Sequence, residues 1–221
     1  MFRQDVHDTT FAIRLSALKR RIFRTPDVVL HRREIMGRQG IFAVLENDTV
    51  RADFDAQFAN LVGYLPGPAF TVSIDKQAYL EKYKVWQFDP YCLVERFVLW
   101  LNRYGFVGDV MGEARGPKHD ARLRMAYGRL HKSGSDFVDK GLVQAKLISR
   151  ELRLEPKTMN VAGLQVADLL AHPAHRTFKF LKLGMPEPED YGASLIKTLE
   201  AVYDRHPRSG AIEGCGRKWL P

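Results

Sequence analysis

Short apolar runs that alternate like strands are interleaved along this chain with longer stretches of helical periodicity. Residues 70–74 and 106–111 predict strands. Residues 10–24 and 163–182 place apolar side chains three and four positions apart, which predicts amphipathic helices. This alternation favours a mixed α/β fold with helices packed on a sheet. Further helices are predicted over 53–62, 90–104, 120–131 and 187–203, and further strands over 147–154 and in the tail 212–221.

Size and cysteine usage limit the class of protein. A chain of 221 residues, 45% of them hydrophobic, predicts one soluble domain, with 187–221 as a C-terminal helix and docked tail. Cys92 and Cys215 are far apart and lack C-x-x-C spacing, which argues against a disulfide framework or a zinc knuckle and favours the reducing cytoplasm. No apolar run approaches the roughly 20 residues that span a bilayer, so we expect no membrane partner.

The positive charge is concentrated in one segment. The chain has a formal net charge of +8, and residues 14–38 alone carry +6. Such a segment favours a polyanion such as nucleic acid, and Arg20, Arg21 and Arg24 are its candidate phosphate-binding side chains. The alternative is a solvated helix face that keeps the protein soluble. The cations of the segment are Arg14, Lys19, Arg20, Arg21, Arg24, Arg32, Arg33 and Arg38.

Two carboxylates are the best candidates for chemistry. Glu113 directly follows the strand-like run 106–111, and Asp168 shares a helix face with Gln165 and His172 at spacings of three and four residues. Carboxylates hold Mg²⁺ or Mn²⁺, and two such ions can activate a water for phosphodiester hydrolysis. The alternative is that Asp168 is an acid favoured by the start of a helix and paired with an arginine.

Basic residues next to Glu113 extend this candidate site. Arg115, Lys118 and His119 could hold phosphates or assist proton transfer, although solvated residues of a surface loop explain them better. Since the chain has no P-loop, G-x-G-x-x-G or G-x-S-x-G motif, nucleotide-triphosphate, Rossmann and serine-hydrolase functions lack support.

The order of these segments resembles a large, mainly bacterial and phage family of unknown function in the ribonuclease-H-like superfamily. The most specific match is Gly163-Leu164-Gln165-Val166-Ala167-Asp168-Leu169-Leu170-Ala171, which is similar to the family's Gln-Leu/Val-Ala-Asp helix. Supporting matches are Ile74-Asp75-Lys76, Glu113-Ala114-Arg115-Gly116, and the closing Gly214-x-Gly216-x-Lys218 followed by Pro221. The resemblance covers roughly residues 10–221.

The resemblance implies a ribonuclease-H-like mixed sheet with helices packed on it. It also implies that Glu113 and Asp168 hold Mg²⁺ or Mn²⁺, with Gln165 and Arg115 as neighbours. Family members open with an Asp-Glu-Ser-Gly strand that supplies the leading metal-binding aspartate, and this strand is missing here. We therefore expect an N-terminally incomplete domain whose start lies upstream of Met1. The alternative is a chain that has lost this core strand and its metal ligand.

Two functions follow as hypotheses. The first is a divalent-metal-dependent nuclease that acts on nucleic-acid phosphodiesters and is inactive without its first strand. The second is a non-catalytic nucleic-acid-binding or interaction protein of phage or mobile-element biology. The sequence does not distinguish DNA from RNA, and it predicts no oligomeric state.

Overall fold

The computed structural model describes residues 10–84, 91–186 and 191–221, with the backbone alone for 191–194. It is a mixed α/β structure in which helices predominate, as the sequence predicts. The α-helices are α1 (Ala12–Phe23), α2 (Arg32–Gly37), α3 (Asp48–Gly63), α4 (Lys76–Tyr83), α5 (Tyr91–Arg103), α6 (Pro117–Ser133), α7 (Lys140–Lys146), α8 (Ala162–Leu183) and α9 (Tyr191–Val202). The strands are β1 (Thr71–Ile74), β2 (Met111–Glu113), β3 (Arg153–Glu155) and β4 (Arg217–Leu220), and 3₁₀ helices span Gly40–Glu46 and Lys157–Met159.

The contacts within the chain divide it into two compact units. Unit 1 takes in the described residues of 1–71 and 160–212. Its core is built on α1, α3, α8 and α9, because each of these helices turns an apolar face inward. Burying one large apolar side chain contributes about 1.5–3 kcal/mol, so this cluster stabilises the unit. Its largest fully buried apolar side chains include Phe11, Leu15, Leu30, Leu45, Phe58, Leu195 and Leu199.

Unit 2 takes in the described residues of 72–159 and 213–221. Strands β2 and β3 pair in parallel, with Met111 opposite Arg153 and Glu113 opposite Glu155. A second two-stranded sheet pairs β1 with β4, so the strand predicted in the tail 212–221 is confirmed over Arg217–Leu220. The core of the unit lies among α5, α6 and α7 and contains Val94, Val98, Leu101, Tyr127, Leu130, Val138, Val143 and Leu147.

Local sequence signals set many of the helix ends. The side chain of Asn47 accepts hydrogen bonds from the backbone N–H groups of Thr49 and Val50 and so caps α3. Asp75, which follows β1, caps α4 in the same way. At the other end of α1, Arg24 takes the left-handed conformation, with φ of 65°, and Pro26 follows it. Asn47 and Asp75 thus set the starts of α3 and α4, and the left-handed turn before Pro26 sets the end of α1.

The sequence places most of the helices correctly and some of the strands incorrectly. The helices predicted over 10–24, 53–62, 120–131 and 163–182 are confirmed, and the described part of 187–203 forms α9. Residues 187–190 and Pro90 lie outside the described residues. The strand predicted over 106–111 is confirmed only in part. The chain turns back after α5, Gly108 forms an isolated parallel bridge with Leu147, and β2 begins at Met111.

The strand predicted over 147–154 also differs, because β3 spans only Arg153–Glu155. No helix in the described part of the chain is long and apolar enough to cross a membrane. The ribonuclease-H-like fold and the single-domain organisation stay predictions.

Candidate nucleic-acid interface

One face of α6 consists almost entirely of cations. Lys118, Arg122, Met125, Arg129 and Lys132 follow one another at intervals of four and three residues, which keeps them on one side of a helix. All five side chains are exposed. Because an α-helix rises 1.5 Å per residue, they extend over about 21 Å. These five residues are the α6 cationic face.

The opposite face of α6 is fixed in the core of unit 2. Ala126, Tyr127 and Leu130 are buried, and the Tyr127 hydroxyl donates a hydrogen bond to the backbone oxygen of Ser149 at 2.6 Å. Burial raises the pKa of Tyr127 to about 12, so this hydroxyl remains a donor at neutral pH. The packing therefore determines which side of α6 meets solvent.

No acidic side chain compensates the α6 cationic face from within its own segment. Asp120 is the only acid between positions 115 and 132, which hold six lysines and arginines, for a net charge of +5. Asp120 is buried, and its Oδ1 accepts a hydrogen bond from the backbone N–H of Arg115 at 2.8 Å. Lys118, Arg122 and Lys132 make no ion pair with any residue that the structure describes.

The basic residues predicted beside Glu113 lie at the start of this helix. Arg115 precedes α6, and Lys118 and His119 are in its first turn. All three side chains are exposed. Lys118 belongs to the α6 cationic face, so this part of the candidate site overlaps with that face.

The cations of 14–38 differ widely in their surroundings. Arg20 and Arg24 are exposed, as a phosphate-binding role requires. Arg21 instead donates from Nε and Nη2 to the Asp53 carboxylate, at 2.7 and 3.0 Å, and these bonds hold the pKa of Asp53 below its ordinary value. The cations of 14–38 therefore do not share one environment, and the nucleic-acid partner predicted from this segment stays a prediction. The phosphate-binding role of Arg20 and Arg24 stays a prediction.

Lys19 is removed from any binding face by burial. Its side chain is 2% exposed, and Nζ donates a hydrogen bond to Oδ1 of Asn160 at 2.7 Å. Burial lowers the pKa of Lys19 to about 8, against a smaller opposing effect from Asp27. Asn160 itself has a φ of 54°, a conformation that asparagine tolerates better than most residues.

Gln165 belongs to the same buried network. It is 3% exposed, its Oε1 accepts from the backbone N–H of Leu30 at 2.8 Å, and its Nε2 donates to Oδ1 of Asn160 at 2.9 Å. Both ends of the amide therefore have partners inside unit 1. The predicted substrate-binding role of Gln165 has no exposed group to support it.

Asp168 lies one turn further along α8 than Gln165 and contacts residues 31 and 32 of the basic segment 14–38. Its Oδ2 accepts a hydrogen bond from the backbone N–H of Arg32 at 3.0 Å and lies 3.8 Å from Nε2 of His31. Arg32 is the first residue of α2, and the side chain of His31 provides no cap. The Asp168 carboxylate thus acts as the N-terminal cap of α2 from a distant position in the chain.

Glu113 and Asp168, the predicted metal ligands, belong to different units of the structure. Glu113 belongs to unit 2 and lies with Oε1 3.4 Å from Nζ of Lys157, whereas Asp168 belongs to unit 1. Among the described residues, no group of three or more His, Cys, Asp or Glu side chains is arranged to hold a metal ion. The Mg²⁺ or Mn²⁺ cofactor stays a prediction from the resemblance.

A search of protein-family models found no match to the chain. Searches of curated proteins and of solved structures also returned no significant match. The mixed α/β architecture and the surfaces described above are therefore the evidence on function.

The α6 cationic face itself was not identified from the sequence. The net charge of 14–38 points to unit 1, whereas residues 115–132, which include most of α6, carry +5 within 18 residues. The signal that identifies it is the spacing of Lys118, Arg122, Arg129 and Lys132, which places four cations on one side of a predicted helix.

Proposed function

We propose that the protein binds the phosphate backbone of nucleic acid through the α6 cationic face. The observation that carries the proposal is a row of four exposed cations on a helix whose only acid, Asp120, is turned into the protein. Cations in this arrangement release the counterions condensed on a polyanion when they contact its phosphates, and this release favours binding. Arg20 and Arg24 of unit 1 are a second, smaller set of candidate contacts.

The test is a titration of fluorescently labelled DNA and RNA oligonucleotides with wild type and a charge-reversed variant. Arg122→Glu combined with Lys132→Glu is expected to weaken binding at least about tenfold at low salt, because two phosphate contacts become repulsive. The matched control is Lys197→Glu combined with Arg208→Glu, two exposed cations of unit 1. The control changes the net charge equally and is expected to weaken binding far less. Equal losses in both variants, or no binding by wild type, would contradict the proposal.

Metal-dependent cleavage and the ribonuclease-H-like fold are further proposals that rest on the family resemblance. Their test is the integrity of the same oligonucleotides after incubation with Mn²⁺. Cleavage that needs Mn²⁺ and is lost in both Glu113→Gln and Asp168→Asn would support hydrolysis. Oligonucleotides that are bound but stay intact would support a binding protein without catalysis.

A further inference from the structure

Three aromatic rings cluster at the end of α5, two of them exposed and the third, Trp100, half-buried. The ring centroids of Trp100 and Tyr104 are 5.0 Å apart, those of Trp100 and Phe106 5.5 Å, and those of Tyr104 and Phe106 6.5 Å. The planes of Tyr104 and Phe106 differ by only 21°. Tyr104 is 53% exposed and Phe106 48%, so both rings offer surface to a partner.

The backbone holds this cluster in place. Gly105 has a φ of 71°, and its N–H donates to the oxygen of Asn102 while the N–H of Phe106 donates to the oxygen of Leu101 at 2.8 Å. This is the Schellman arrangement, in which the chain folds back over the last turn of a helix. It returns Phe106 to Trp100 and explains why these residues do not continue as a strand. The motif accounts for the position of Phe106 but not for the exposure of Tyr104.

The charge next to the rings indicates what kind of partner they fit. The guanidinium of Arg103 lies 5.9 Å from the centroid of Tyr104, and the same unit carries the α6 cationic face. A second copy of this chain would bring its own formal charge of +8 to a surface that is already basic. A polyanion that also has flat aromatic groups meets both features, because aromatic rings stack with bases while cations contact phosphates.

We infer that Trp100, Tyr104 and Phe106 form a base-stacking surface and that the preferred ligand is single-stranded nucleic acid. This inference rests on the proposed function and specifies its substrate class. Bases in a duplex are stacked on one another and do not present their faces, whereas unpaired bases can stack on exposed rings.

The test compares a labelled single strand of oligothymidylate with a duplex of similar length. Wild type is expected to prefer the single strand. Tyr104→Leu is expected to weaken single-strand binding about 5- to 150-fold, which corresponds to the roughly 1–3 kcal/mol of one stacked base, while Tyr104→Phe retains wild-type affinity because the ring remains. The control is Phe137→Leu, an aromatic residue of unit 2 that is 64% exposed and lies outside the cluster. It is expected to have no effect.

The outcomes separate this inference from the proposed function. If the α6 charge reversal weakens binding but Tyr104→Leu does not, or if single strand and duplex bind equally, base stacking is wrong and backbone binding stands. If wild type binds neither oligonucleotide, both fail. Self-association in sedimentation experiments that disappears in Tyr104→Leu would assign the rings to a second copy of the chain and would also overturn the inference.

Discussion

Asp168 illustrates how one carboxylate supports two different interpretations. Its bond to the backbone N–H of Arg32 gives it a structural role at the start of α2. We expect Asp168→Ala to lower the free energy of unfolding by about 1 kcal/mol, the usual value for loss of an N-cap. Asp168→Asn keeps an acceptor oxygen, so we expect it to lower the free energy of unfolding by less than Asp168→Ala does. Denaturant unfolding followed by circular dichroism measures both, and an unchanged stability of Asp168→Ala would contradict the capping role.

The lowered pKa of Lys19 predicts that the stability of the protein depends on pH in the alkaline range. Its pKa is about 8 in the folded protein and 10.5 in the unfolded chain, so between these values the unfolded chain binds more protons. The contribution of Lys19 to the free energy of unfolding therefore rises with pH across this window, by up to about 1.4 kcal/mol per pH unit. This gain in stability is absent below about pH 8, because Lys19 is then protonated in both the folded and the unfolded state.

The comparison that isolates this effect is wild type against Lys19→Met. Methionine fills a similar volume without a titrating group. We expect the stability difference between the two proteins to shift in favour of wild type as the pH is raised from about 8 to about 10. A difference that stays constant over this range would show that Lys19 titrates normally.

At the scale of the elements, α6 contains two glycines with opposite requirements. Gly128 is in the helix interior, and a Cβ added there meets nothing within 4 Å. Gly134 ends the helix with a φ of 73°, and a Cβ there would lie 2.6 Å from the backbone oxygen of Val138. We expect Gly128→Ala to stabilise the protein by about 1 kcal/mol and Gly134→Ala to destabilise it by at least about 2 kcal/mol. Thermal unfolding of the two variants checks the signs, and equal effects would contradict this account of the helix end.

The elements also show where sequence patterns are sufficient. Helices α1, α6 and α8 follow from apolar spacing, because a long periodic stretch has one way to bury its face. The run after α5 is a strand only in part, because its apolar residues do not reveal the turn at Gly105 or the ring contact between Phe106 and Trp100. Local periodicity does not distinguish a half-exposed aromatic cluster from a buried strand.

At the scale of the whole molecule, the candidate residues show the limit of single-sequence inference. The sequence correctly placed Gln165 and Asp168 on one helix face, but their partners, Leu30 and Arg32, lie about 135 residues away in the chain. Spacing within a helix gives no information on such distant contacts. The orientation of α6 likewise depends on tertiary packing around Tyr127, which makes a set of cations in the sequence into a continuous exposed surface.

The salt dependence of binding tests the central claim most directly. Fluorescence anisotropy of a labelled single strand, titrated with wild type between about 50 and 200 mM salt, gives the slope of log K against log salt. Four phosphate contacts predict a slope of about −3, and loss of Arg122 and Lys132 as cations is expected to make it shallower by about 1 to 2. A wild-type slope near zero, or one that Arg122→Glu with Lys132→Glu leaves unchanged, would contradict backbone binding through the α6 cationic face.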